Sequence, residues 1–238
     1  MQVVEYSPQH EEAWDRWVAA CPRGTFQQQR RFLDYHGERF VDASLTVWDD
    51  RERLVAVWPA AAWPGRDTVV SHPGAVHGGL VHAETLGPAD LDRILEQAIP
   101  LWRAAGFREL VYKPVPASIV PGADERDVHA LWRRGAQARR MDLWNVVWLG
   151  RARPVSKNLR RDARVALRDG LVVTRASTPD ELAAFHQLLQ DCLAERHDAT
   201  PVHRLDELED LCARLGDQQE VVLVHEGDRL LAGTWVFH

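Results

Sequence analysis

The chain has 238 residues, 45% of them hydrophobic and 27% charged, with a formal net charge of −6 at pH 7. These values fit one large folded domain or two smaller ones, and they argue against a general nucleic-acid coat, which calls for an excess of basic groups. No apolar run approaches the roughly 20 residues of a membrane span, no basic start precedes an apolar block, and the widely spaced Cys21, Cys192 and Cys212 read as reduced thiols, so a cytoplasmic protein is expected.

In chain order, residues 2–6 predict a short strand, and Ser7-Pro8 caps a helix running to about Ala20. Cys21-Pro22-Arg23-Gly24 breaks it, and residues 28–40, with Phe32, Tyr35 and Phe40, predict a second helix. Residues 44–48 and 53–62 read as two strands of an antiparallel hairpin around a polar turn. Val69-Val70-Ser71 is a third strand opening into a glycine-rich loop, residues 88–105 a helix with Leu91, Ile94, Leu95, Ala98 and Leu101 on one face, and residues 109–115 another strand. Residues 124–134 predict a short helix, and residues 138–149, rich in Trp and Val, a last strand.

The pattern then restarts. Residues 171–176 predict a strand, Thr178-Pro179-Asp180-Glu181 a capping box for a helix to about Arg196, residues 204–215 a helix, and residues 220–225 and 229–237 two strands around Glu226-Gly227-Asp228. Strand, helix, helix, hairpin is the order of residues 2–62. Leu45-Thr46-Val47-Trp48 aligns with Val222-Leu223-Val224-His225, and Arg53-Leu54-Val55-Ala56 with Arg229-Leu230-Leu231-Ala232; one skipped residue then matches Trp58 to Trp235. An internal duplication follows, with units at 1–150 and 151–238. The second copy stops after its hairpin, so an incomplete copy is expected, or a sheet edge covered by a partner or by a homodimer.

Between the units lies residues 156–170, SKNLRRDARVALRDG, holding Lys157, one of two lysines in the chain. Helical spacing puts Leu159, Ala163, Ala166 and Leu167 on one side and Arg160, Arg161, Arg164 and Arg168 on the other. The stripe reads either as a solvated face or as a phosphate site, since guanidinium forks suit phosphate oxygens. Its position predicts that the apolar side docks between the units.

The loop Ser71-His72-Pro73-Gly74-Ala75-Val76-His77-Gly78-Gly79-Leu80-Val81 is the other unusual stretch. Its glycines allow close approach of backbone to a ligand, and His72 and His77 are candidate proton carriers or hydrogen-bonding groups; a tight connection with polar histidines is the plainer reading. It lacks the Gly-Lys-Ser/Thr ending of a phosphate loop, and His72, His77 and His82 lack metal-ligand spacing, so no metal is expected. Tyr112-Lys113-Pro114 ends a strand, where Lys113 reads as catalytic, as anion-binding, or as an exposed end residue. His186, Cys192 and His197 have no Asp or Asn to complete a nucleophile triad, and the tryptophans Trp58, Trp63, Trp144 and Trp148 read as sheet packing.

The layout resembles the GNAT acyltransferase fold, a mixed α/β fold whose mostly antiparallel sheet is flanked by helices. Two tandem copies, with Lys157, Arg160, Arg161, Arg164 and Ala166 at the start of the second, resemble the FemABX-type transferases, and His72-Pro73-Gly74 with Gly78-Gly79-Leu80-Val81 resembles the first-domain loop of a bacterial FemAB-like branch linked to cell-surface polymer synthesis. The resemblance implies transfer of an acyl or aminoacyl group from acyl-CoA or aminoacyl-tRNA to an amine of a small molecule or a peptide or glycan precursor, without a permanently bound cofactor. It implies catalytic roles for His72 and Lys113, donor binding by Lys157, Arg160, Arg161 and Arg164, and acceptor binding by His77, Gly78, Gly79 and Tyr112. The family's pyrophosphate loop, Gln/Arg-x-x-Gly-x-Gly/Ala, is absent from the first copy. The alternative is a catalytically incomplete GNAT-fold binding module that needs a partner or dimer.

Overall fold

The computed structural model describes residues 1–120, 125–151 and 154–238, and these divide into two compact units, Met1–Trp144 and Asn145–His238. In the first unit β1 (Gln2–Glu5) leads through a 3-10 turn into α1 (Glu11–Ala20), followed by α2 (Arg30–Leu33), β2 (Leu45–Trp48) and β3 (Leu54–Trp58). Next come β4 (Ala61–Ala62), β5 (Thr68–Val70), β6 (Val81–His82), α3 (Pro88–Ala104), β7 (Glu109–Val111) and α4 (Arg126–Arg133). Strands β1, β2, β3 and β6 form an antiparallel sheet in that order, while β4, β5 and β7 form a second in which β5 and β7 run parallel.

Helix α3 begins where its sequence says it should. Pro88 occupies the first turn, where no N–H is needed, and the Asp90 carboxylate accepts the Gly87 N–H at 2.9 Å. Its apolar stripe, Leu91, Ile94, Leu95, Ala98 and Trp102, is buried against Val3, Leu45, Val47, Ala56 and Trp58. Trp58 meets Trp102 and Tyr112 edge-on, at ring-centroid distances of 4.7 and 5.5 Å. The opposite sheet face is closed by α1, which buries Trp14 and Val18.

Two sequence expectations fail here for physical reasons. The helix expected over residues 28–40 is only four α-helical residues followed by a 3-10 stretch, because Gly37 adopts φ 52° and ψ −133°, outside any right-handed helix. Residues 136–148 form no strand. They have no pairing partner among the described residues, and Met141, Leu143 and Val147 stand exposed, Leu143 fully so. The expected helix at 124–134 is α4, with Asp124 itself outside the described residues.

The second unit runs α5 (Lys157–Arg168), β8 (Leu171–Arg175), α6 (Pro179–His197), α7 (Leu205–Leu215), β9 (Gln219–Glu226) and β10 (Arg229–Phe237), with an antiparallel sheet ordered β10-β9-β8. Thr178 and Glu181 form the expected capping box of α6. Leu182, Phe185, Leu208, Val221 and Leu223 make the core between these helices and the sheet.

The two sheets share one register. Gln2 faces Trp48 and Glu5 faces Leu45, as Val172 faces His225 and Arg175 faces Val222. Each hairpin carries a bulge at the matching place: the ladder shifts across Val55 in β3 and across Leu231 in β10. The skipped residue expected before Trp235 is a misalignment, however. Leu45 faces Trp58 and Val222 faces Thr234, so the ladder equivalent of Trp58 is Thr234. The chain is thus a mixed α/β protein, its antiparallel ladder built twice.

Candidate functional site

Arg30 is the anchor of a polar cluster in the first unit. Its backbone N–H donates to Asp15, and its guanidinium donates to Ser44 Oγ at 3.2 Å, to Asp42 at 2.8 Å and to Asp34, while stacking 4.0 Å over the Tyr6 ring. Burial favours a neutral Arg30, but the two carboxylates outweigh it and hold the guanidinium firmly charged. The Tyr6 hydroxyl is pushed up to about 12, mainly by burial. This cluster forms one wall of a cavity of about 260 Å³, whose other walls include His36, Phe40 and His72.

His72 reaches that wall from the glycine-rich loop. It has φ 50°, a left-handed conformation that costs a side-chain-bearing residue on the order of 1–2 kcal/mol. Its ring lies 4.8 Å from that of His36 and 5.6 Å from that of Phe40, is buried, and leaves Nδ1 without a hydrogen-bond partner. Burial, helped by His36, Arg30 and Lys113, pushes its pKa down to about 3, so the imidazole is neutral and offers an acceptor. Gly74 admits the His36 ring: a Cβ there would stand 2.0 Å from His36 Nε2.

The rest of the loop is stitched to β7 and its flank. The Gly78 N–H donates to the Lys113 carbonyl at 3.0 Å, and Gln28 donates to the Gly78 carbonyl. Tyr112 accepts the Leu80 N–H at 2.8 Å and donates to Asp127; its hydroxyl sits 3.1 Å from where a Gly79 Cβ would be. His77 lies buried with Nε2 3.0 Å from Thr25 Oγ1, its pKa pushed down to about 4, first by burial and then by Lys113. Lys113 donates to the Ala75 carbonyl, and burial lowers its ammonium to about 8. The loop therefore brings His72 to the cavity, while Gly78, Gly79 and Tyr112 fix its course. Arg30, Asp34, His36 and Asp42 were not singled out by sequence reasoning, which named Phe40 only as an aromatic of the expected helix; the available signal was Thr25-x-x-Gln28, whose capping box starts this segment, and Gly37, which turns it. A larger open depression of about 490 Å³, lined by Trp63, Arg66 and Phe107 among others, contains none of the residues expected to carry chemistry.

In the second unit, Ser156 caps α5, its hydroxyl accepting the Leu159 N–H at 3.2 Å. Arg161 and Arg168 pair with their neighbours Asp162 and Asp169, and Arg160 donates to the Val155 carbonyl. Lys157 and Arg164 have no partner among the described residues, and adjacent exposed pairs of this kind hold little energy. No residue of α5 is buried within the second unit, where Leu159 and Leu167 are each 60% exposed. No helix among the described residues is long and apolar enough to cross a membrane.

Residues 151–238 match the model of the acetyltransferase (GNAT) domain. Among solved structures, FemX is similar with a TM-score of 0.64 and 15% identity, over 94% of this chain and 57% of FemX. The chain therefore shares the fold of FemX and spans 57% of its length. TTHA1254 from Thermus thermophilus, solved as a mutant, aligns with a TM-score of 0.38 and 17% identity over 62% of this chain and 98% of that protein. No curated protein sequence matches the chain.

Proposed function

We propose that the chain is an N-acyltransferase that moves an acyl or aminoacyl group from acyl-CoA or aminoacyl-tRNA to the amine of a small molecule or a cell-surface polymer precursor. The observation that carries this reading is the match of residues 151–238, α5 and the bulged hairpin included, to a GNAT acetyltransferase domain. In this reading Lys157, Arg160, Arg161 and Arg164 contact phosphates of the donor, the task for which an exposed row of guanidinium groups is suited. Strand β10 lies at the edge of its sheet, so its outer backbone N–H groups supply fixed donors that polarise the acyl carbonyl. The acceptor nitrogen attacks that carbon with its lone pair, the tetrahedral oxyanion collapses, and the thiolate or ribose oxygen departs and takes up a proton while the amine loses one. Positioning supplies the rate, without a covalent enzyme intermediate.

The acceptor is assigned to the first unit. His72 and Lys113 orient it, His72 as a neutral hydrogen-bond acceptor and Lys113 as an amine that titrates near pH 8, while His77, Gly78, Gly79 and Tyr112 hold the loop in place. Calorimetry with acetyl-CoA and with charged tRNA tests the reading. One of the two donors binds saturably, and replacing Arg160, Arg161 and Arg164 together by Gln weakens it at least tenfold; absence of saturable binding of either donor overturns it.

A second reading, a binding module that acts with a partner or as a homodimer, is favoured by the exposed apolar residues Met141, Leu143, Val172 and Val173. Light scattering on the purified chain decides it: a monomer with acyltransferase activity removes this reading.

A further inference from the structure

Three histidines of one stretch, His72, His77 and His82, recur every five residues and share one condition. All are buried, at 5%, 4% and 0% exposure, and each has a ring nitrogen without a hydrogen-bond partner among the described residues: Nδ1 of His72 and of His77, Nε2 of His82. The His82 Nδ1–H donates to the Ala83 carbonyl at 3.0 Å, so a second proton would sit on Nε2 and find no acceptor. A doubly protonated His77 would have the same lack at Nδ1, because Thr25 Oγ1 serves only Nε2, and His72 would have it at its own Nδ1. A buried donor without an acceptor is costly, and a buried charge more so.

The surroundings add to that cost. Burial comes first at all three rings. At His72 it is reinforced by His36, Arg30 and Lys113, while the carboxylates Asp34 and Asp42 on the same cavity are paired with Arg30. At His77 it is reinforced by Lys113. At His82 the Ala83 carbonyl and Asp127 favour a charge and Arg23 and Arg126 oppose it, and Asp127 already accepts the Tyr112 hydroxyl. The stretch is also lightly attached. Strand β6 is two residues long at the edge of its sheet, paired with Ala56 and Val57 of β3. The loop before it is held by single bonds: Gln28 to the Gly78 carbonyl, the Gly78 N–H to the Lys113 carbonyl, the Leu80 N–H to Tyr112, and Lys113 to the Ala75 carbonyl. At its start His72 holds a left-handed backbone, which release would relax.

We propose that residues 71–83 form an acid-released flap, freed from the first unit by protonation of His72, His77 and His82 while β1, β2, β3 and α3 stay folded. Release takes His72 out of the wall of the 260 Å³ cavity, so acid opens that cavity as well. The sign follows from linkage. Released rings titrate near 6.5 and held rings lower, so the flap is most firmly closed above pH 6.5. From there down towards pH 4, each ring that gains a proton on release favours it by roughly tenfold per pH unit. The device does not depend on acyl transfer.

The test is native-state hydrogen exchange of the full chain at pH 6.5 and pH 5, each in rising sub-denaturing urea, with opening constants corrected for the intrinsic pH dependence of exchange. The hydrogen-bonded amides of Gly78, Leu80 and Ala83 should have opening constants at least about a hundredfold larger at pH 5 than at pH 6.5. Their opening should depend on urea less than about a third as steeply as that of the Val47 and Leu95 amides, whose exposure needs the whole unit to unfold. His77→Gln removes one proton from the release and should cut the rise about tenfold; His72→Asn, chosen because Asn tolerates a left-handed backbone, should do the same. Where a variant fails to fold, the urea dependence in the unaltered chain decides alone. Equal urea dependence of flap and core amides, an opening constant that acid leaves unchanged, or an undiminished rise in either variant overturns the proposal.

Discussion

The two sheets of this chain have the same ladder and opposite fates. Val3, Val47 and Ala56 lie across one face of the first sheet, and the register places Val173, Val224 and Ala232 at the same points of the second. The first three are buried under α3, Val3 at 6% exposure, whereas Val173 is 56% exposed and Ala232 lies open. The other face is covered in both units, by α1 in the first and by α6 and α7 in the second. Pairing and bulge are therefore local properties that hold without a second helical layer, while burial belongs to whatever packs on the ladder.

The largest expected break in this comparison is at Trp58 and its ladder equivalent. Trp58→Ala removes a fully buried ring packed on Trp102 and Tyr112 and should cost the first unit about 3–5 kcal/mol in urea unfolding; Thr234→Ala, at an exposed position, should stay within about 0.5 kcal/mol. Equal effects would mean that the two faces are equally buried in solution.

Acid should also separate the units. His72 and His77, held at about 3 and about 4, each titrate near 6.5 when unfolded, so below pH 6.5 the unfolded chain binds more protons and stability falls as pH drops towards 4. The loss is on the order of a few kcal/mol. His77→Gln, which keeps a hydrogen-bonding group near Thr25, should flatten the pH dependence of the urea midpoint of the first unit; an unchanged slope would show that His77 does not titrate there.

A smaller effect is expected from copying one ladder into the other. Gly233 stands where the first sheet has Val57, and a Cβ there would lie 2.5 Å from the Phe185 ring. Gly233→Val should therefore destabilise the second unit by about 1–3 kcal/mol in the same assay, since Phe185 must leave its packing place. Smallest of all, the combined Arg160, Arg161 and Arg164 to Gln replacement should shift thermal stability by no more than about 0.5 kcal/mol, because that helix buries nothing. A larger loss would place the stripe in the fold rather than in ligand binding.

What was legible in the sequence was what neighbouring residues decide among themselves. The Thr178–Glu181 box, the Gly87-Pro88 start of α3, the Asp49 and Gly227 turns and even the match of Val55 to Leu231 follow from short-range chemistry. Burial was not legible: Val3 and Val173 are the same residue on equivalent strands. Residues 138–149 have the alternation of a strand, but a strand also needs a partner, and periodicity does not supply one. In the site, His72 stood out through its glycine-rich setting, whereas Arg30 and Asp34 looked like ordinary charges on the helix expected over 28–40, and Asp42 like a charge just beyond it. Their meaning comes from Gly37, which folds the segment back so that three charges meet at a cavity wall.

The packing of Trp58 against Trp102 has an optical consequence. Eight of the ten tryptophans belong to the first unit, and only Trp148 and Trp235 to the second. Trp14, Trp58 and Trp102 are buried, while Trp63, Trp132 and Trp144 of the same unit and Trp148 of the other are exposed. Unfolding the first unit wets three buried rings and so moves the emission red, with little contribution from the other unit. The chain thus carries its own reporter of the first unit, which can be followed with no label attached.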